Sequence, residues 1–166
     1  MRHCRHGFSL VEILIVVMIL GILAAIAVPK LANASQVARE NSLKDNLRLL
    51  RTQLGVYKSQ HAVFPGYPAG DTAQSPTPAA TYDQLLQFTD ANGNASPTGT
   101  PTYRWGPYLD MMPKNPVNGS SDWKILSDSD PFTPDDTTGW LYQPSTGTLK
   151  ANLPGTDSSG RALIDY

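Results

Sequence analysis

The chain has a single cysteine, Cys4, placed ahead of the first apolar run, so nothing downstream of it can close a disulfide. Histidine is nearly as scarce: His3 and His6 share that leading segment, and His61 stands alone in the rest. A Cys/His pair therefore has no material after residue 7. No nucleophile elbow or phosphate-binding loop motif occurs either, and the sequence reads as non-enzymatic. His3, Cys4 and His6 fall short of a four-ligand zinc site. Charge of either sign is sparse, with 13 basic residues against 14 acidic ones. Without Arg2 and Arg5 the basic count falls to 11, and no excess of positive charge remains to recruit nucleic acid. The 166 residues suffice for one small folded domain beside an apolar segment, held together without covalent staples.

What is present first is hydrophobicity. Residues 8–28, FSLVEILIVVMILGILAAIAV, form a run of 21 residues whose only charge is Glu12. As a helix this run is roughly 30 Å long, enough to span a bilayer. A secretory signal has a shorter apolar core, about 7–15 residues. Arg2 and Arg5 ahead of the run are expected to stay in the cytoplasm, which places the chain after Lys30 on the opposite face. A plain anchor leaves Glu12 unexplained, because an ionised side chain inside hydrocarbon is costly unless a partner or an interface relieves it. A cut between Gly7 and Phe8 would put a new α-amine one helical turn from Glu12, and neighbouring subunits could then pair amine with carboxylate. Pro29 lacks an N–H and crowds the carbonyl of Ala25, so a kink or local melt is expected there. Gly21 adds a second soft point.

Gly7-Phe8-Ser9-Leu10-Val11-Glu12 followed by a long apolar helix resembles the class III leader of type IV pilins and type II secretion pseudopilins. The resemblance implies that a prepilin peptidase cuts after Gly7 and methylates the amine of Phe8. It gives Phe8 and Glu12 roles in docking and register during assembly, and it matches Gly21 and Pro29 to positions where the family helix loosens inside filaments. It also implies partners: further copies of the chain in a homopolymeric filament, other pseudopilins, an inner-membrane assembly platform, and membrane lipid before assembly. The location implied is the inner membrane, with a single pass and a periplasmic C-terminal domain.

Downstream of Pro29, Leu43, Leu47, Leu50, Leu54 and Tyr57 recur at spacings of four and three, which is one helical stripe. Arg39, Glu40, Lys44, Asp45, Arg48 and Arg51 occupy the other face, with Glu40 and Lys44 at a favourable four-residue spacing. The stripe lasts barely two heptads, short of a coiled coil. Phe64-Pro65-Gly66-Tyr67-Pro68 ends the pattern. Thr81 reads as the N-cap of a short helix with Gln84 at the capping-box position, and residues 89–102 read as an exposed loop. Residues 106–119, GPYLDMMPKNPVNG, read as an ordered connection and resemble the G-P-Y-L…P-x-x-P segment of major pseudopilins, with Val117 where family members often carry tryptophan. Short strands are expected at Trp123 to Leu126, Gly139 to Gln143 and Thr148 to Leu153, the last two forming a hairpin. Trp140 and Tyr142 alternate with Leu141 and read as core.

These readings give an α+β fold, a long N-terminal helix packed on a small antiparallel sheet. The expected divisions are a leader at 1–7, a membrane and assembly helix at 8–29, its amphipathic continuation at 30–62 and a globular region at 63–166. No cofactor is expected save one candidate: Asp128, Asp130, Asp135 and Asp136 cluster in a loop, and oxygen-rich loops suit calcium. Major pseudopilins share a C-terminal calcium loop, but this chain lacks their Asp-Gly ending and finishes TDSSGRALIDY. The function expected is a structural subunit of a pseudopilus. The alternative is a minor or tip subunit, or a tethered binding module, of a pilus or DNA-uptake system that recognises through loops 66–105 and 127–138.

Overall fold

The computed structural model describes residues 9–166, apart from the side chains of Pro29, Ala32 and Asn33. The chain divides into two compact units, the first ending at Ala38 and the second running Arg39–Tyr166. Helix α1, Leu10–His61, contributes to both. In the first unit every described side chain from Leu10 to Val28 is exposed, and this stretch has a mean hydropathy of 3.0. The helix is continuous through Gly21 and Pro29 in the isolated subunit.

In the second unit the leucine stripe does what its period implies. Leu43, Leu47, Leu50, Leu54 and Tyr57 are each at most 1% exposed. They form one core with Leu85, Tyr108, Trp123, Trp140, Tyr142 and Leu149 from the segments that follow. The sheet they meet is three-stranded, in the order β3-β4-β5, with β3 at Trp123–Ile125, β4 at Trp140–Gln143 and β5 at Thr148–Ala151. Strands β4 and β5 form the expected antiparallel hairpin, with Tyr142 opposite Leu149. Strand β3 runs parallel to β4, so the sheet is mixed. A parallel pair needs a crossover of a dozen or more residues, and the acidic segment 126–139 provides it. Leu141, on the face opposite Trp140 and Tyr142, is also fully buried, so β4 is covered on both sides.

Two local readings need correction. The short helix α2 spans Pro78–Leu86 and is capped by Thr77, whose hydroxyl accepts from the Ala80 N–H at 3.1 Å. Proline at the first helical position fixes that start, since its missing N–H is one the helix leaves unpaired in any case. Thr81 is therefore inside the helix, and Gln84 is a buried tie: its Oε1 accepts from Gly66 N, while its Nε2 donates to the carbonyls of Tyr67 and Gly93. Segment 89–102 is not wholly an exposed loop. Strands β1, Phe88–Thr89, and β2, Ala95–Ser96, pair antiparallel around a turn in which Asp90 Oδ1 accepts from the N–H groups of Asn92 and Asn94.

Segment 106–119 is ordered through its backbone and two amide side chains, Asn115 and Asn118. The N–H groups of Tyr108 and Leu109 both donate to the Leu85 carbonyl, and fully buried Asn115 donates to the Gly139 carbonyl at 2.9 Å. Asn46 of α1 donates to the Lys114 carbonyl, and the Trp140 indole to that of Pro113. These bonds tie an irregular stretch to both helix and sheet.

Candidate assembly site and acidic loops

Gly7 and Phe8 lie outside the described residues, which begin one position later. Ser9 caps α1: its carbonyl accepts from Ile13 N at 3.3 Å. Glu12 reaches back to the Ser9 N–H, with Oε2 at 3.1 Å. This carboxylate-to-backbone bond is half of a capping box, and the S-x-x-E spacing at 9–12 is its signature in the sequence. Glu12 is thus a helix-capping group as well as a charge awaiting an amine. The bond meets one acceptor need of the carboxylate and satisfies a donor at the positive end of the helix dipole. It leaves a negative charge in the first turn of an apolar helix, exposed in the isolated subunit.

The four aspartates of the crossover do not converge. Asp135 pairs with Lys124 Nζ at 2.6 Å through Oδ2, while Oδ1 accepts from Thr137 N, Thr137 Oγ1 and Asn152 Nδ2. The lysine, then Thr137 and Asn152, hold this carboxyl far below the usual carboxylate range. Asp130 turns inward on its own loop, its Oδ2 accepting from Ser127 N and Oγ at 2.8 Å each, and these bonds lower its pKa. Asp136, at φ +60°, accepts from Asn118 Nδ2 at 2.8 Å. Asp128 lines a shallow groove with Tyr67 and Ser145. Among the described residues no three acidic, histidine or cysteine side chains gather in a way that could hold a metal ion.

An exposed apolar helix of bilayer length with a carboxylate in its first turn, continued by an amphipathic stretch that carries a small α+β domain, defines a membrane-anchored subunit of the type IV pilin class. Residues 2–28 match the prokaryotic N-terminal methylation motif. The type II secretion system core protein G of Vibrio cholerae is 31% identical over 132 residues, covering 79% of this chain and 77% of the relative. The protein of the same description from Escherichia coli K12 is 29% identical, covering 82% of this chain and 91% of the relative. The competence protein ComGC of Halalkalibacterium halodurans is 36% identical over a shorter stretch, 38% of this chain and 62% of the relative. No solved structure matches the chain significantly. The chain belongs to the type II secretion core protein G family, the major pseudopilins.

Proposed function

We propose that the chain is a structural subunit of a pseudopilus. A prepilin peptidase cuts it between Gly7 and Phe8 and methylates the new amine, and the subunit then polymerises through α1, its C-terminal domain lying outside the cytoplasm. The observation that carries this reading is Glu12: an ionisable group one turn into an apolar helix, whose position costs about 2.5–3.5 kcal/mol near the centre of a bilayer and less toward its surface. In the monomer the Ser9 N–H relieves part of that cost. A neighbouring subunit's Phe8 amine supplies the missing opposite charge in the filament, so the compensation exists only in the assembled state. Gly21 and Pro29 are the places where the helix, continuous in the isolated subunit, loosens when subunits pack. The role asks nothing of a catalytic group. It needs the other pseudopilins and the assembly platform as partners.

Expression in a secretion-competent host tests the reading with two variants. Glu12→Ala is expected to give a mature chain beginning at Phe8 by mass spectrometry, yet no incorporation into sheared filaments. Gly7→Ala is expected to leave the uncut precursor in the membrane. Normal filaments from the first variant, or a chain starting at Phe8 from the second, would overturn it.

A further inference from the structure

The family resemblance implies a C-terminal calcium loop, and calcium takes six to eight oxygen ligands, carboxylates among them. The last loop of this chain is already saturated by its own donors. Asp157 Oδ1 accepts from Ser159 N at 2.8 Å, Ser159 Oγ at 2.7 Å and Arg161 N at 2.9 Å, while Oδ2 accepts from the Tyr166 hydroxyl at 2.6 Å. Four donors take up about all the acceptor sites that a carboxylate has. Tyr166 and Ser159 accordingly hold Asp157 far below the usual carboxylate range, while burial and the bond to Asp157 push Tyr166 up to about 12.

The second carboxylate near this loop comes from the helix. Glu40, only 5% exposed, accepts from Ser158 N through Oε1 at 2.9 Å and from Ser158 Oγ through Oε2 at 2.7 Å. Positive charge is also in place: Arg161 donates to the Asp165 carbonyl, and Lys150 Nζ lies 4.0 Å from Asp165 Oδ1. The guanidinium of Arg161 and the ammonium of Lys44 stand 5.3 and 4.4 Å from the centre of the Tyr166 ring. A divalent cation would have to displace these donors and sit beside these charges. The residues present do not fit it, here or in the crossover loop, where Lys124 occupies Asp135.

We infer that the C-terminal loop is a cation-independent latch, in which Glu40 and Asp157 join the loop to α1 through Ser158 and Tyr166 and perform the closure that calcium performs in the major pseudopilins this chain resembles. The comparison with calcium rests on the family reading, whereas the latch itself rests on the bonds above. The test uses the full chain in detergent micelles, with tryptophan fluorescence melts in excess EGTA and in millimolar calcium. The two midpoints should coincide, because a cation that bound the native state at such an excess would raise the midpoint by several degrees. Glu40→Gln and Tyr166→Phe should each lower the midpoint by a few degrees in EGTA, and calcium should not restore it. If either variant fails to fold, Ser158→Ala, which removes only the hydroxyl bond to Glu40, should give a smaller loss in the same direction. A calcium-dependent rise of the wild-type midpoint, or midpoints unmoved in the variants, would overturn the latch. Filament formation is scored separately, so a calcium-stabilised chain that still assembles would sink this inference and leave the pseudopilus role standing.

Discussion

His61 is the one histidine after residue 7, and the structure places it where protonation is penalised. It ends α1 at 9% exposure, with Nε2 at 3.0 Å from both Thr89 Oγ1 and Tyr108 Oη, and its ring tilted against Tyr57 at 4.2 Å. Nδ1 is buried and makes no hydrogen bond among the described residues. Burial lowers the pKa of the ring, and the Ala91 backbone and the Asp90 carboxylate pull it part of the way back. The sign of the pH effect follows. The unfolded chain takes up a proton near pH 6.5 while the folded chain resists it, so the contribution of His61 to stability is complete above about pH 6.5 and is lost as pH falls through the folded value. Asp90, Asp135 and Asp157, whose folded pKa values are also lowered, lose their contributions only at more acid pH, below about 4. Urea midpoints should therefore fall as pH drops from about 6.5 toward the carboxylate range near 4 in the native chain. The curve for His61→Gln should be flatter over that interval, and parallel curves would show that the ring does not carry the effect. No sequence pattern announces this: a lone histidine at the end of a helical stripe gives no sign of whether tyrosines will cover it.

At the scale of elements, what the sequence makes legible are the parts with a period. The 43–57 stripe and the β4–β5 hairpin repeat at spacings that admit one geometry each. The parallel placement of β3 is illegible because Pro131, Pro134 and the aspartates of the crossover have no period, and a long return loop reads like a long hairpin loop. The Thr77-Pro78 start of α2 was legible in principle, yet Thr81 with Gln84 imitates a capping box four residues later. Glu12 was legible by its charge, whereas its bond to Ser9 became plain only with the helix start in place. The hairpin turn itself makes a prediction. Gly147 stands at φ +72°, and a Cβ added there would collide with the ring of Phe64. Gly119 has a similar φ, +75°, but open space around it. Gly119→Ala should thus show conformational strain alone, about 1–2 kcal/mol, and Gly147→Ala should add the displacement of Phe64, for about 2–4 kcal/mol in all. Equal shifts in urea midpoint for the two would mean that Phe64 moves aside at no cost.

At the scale of the molecule, α1 contributes to both units, and the second unit should not need the first in order to fold. Its earliest buried side chains are Glu40 and Leu43, and its core is drawn entirely from Arg39–Tyr166. A chain begun at residue 35 keeps the stripe and the latch and drops the exposed apolar run. It should be soluble and monomeric by gel filtration and should unfold in one cooperative step. A chain begun at residue 48 keeps every strand and the rest of α1 but loses Leu43 and Leu47, each at most 1% exposed, and leaves Ser158 without Glu40. Loss of a buried leucine side chain costs about 2–5 kcal/mol, and a domain of this size is stable by only about 5–15 kcal/mol in total. The shorter chain should therefore show no cooperative transition by circular dichroism. If it melts as sharply as the longer one, the sheet and loops are self-sufficient and α1 only carries them. If instead the longer chain fails to fold while the full-length protein folds in micelles, the membrane-facing half of α1 contributes to domain stability, and the division at Ala38 is geometric rather than energetic.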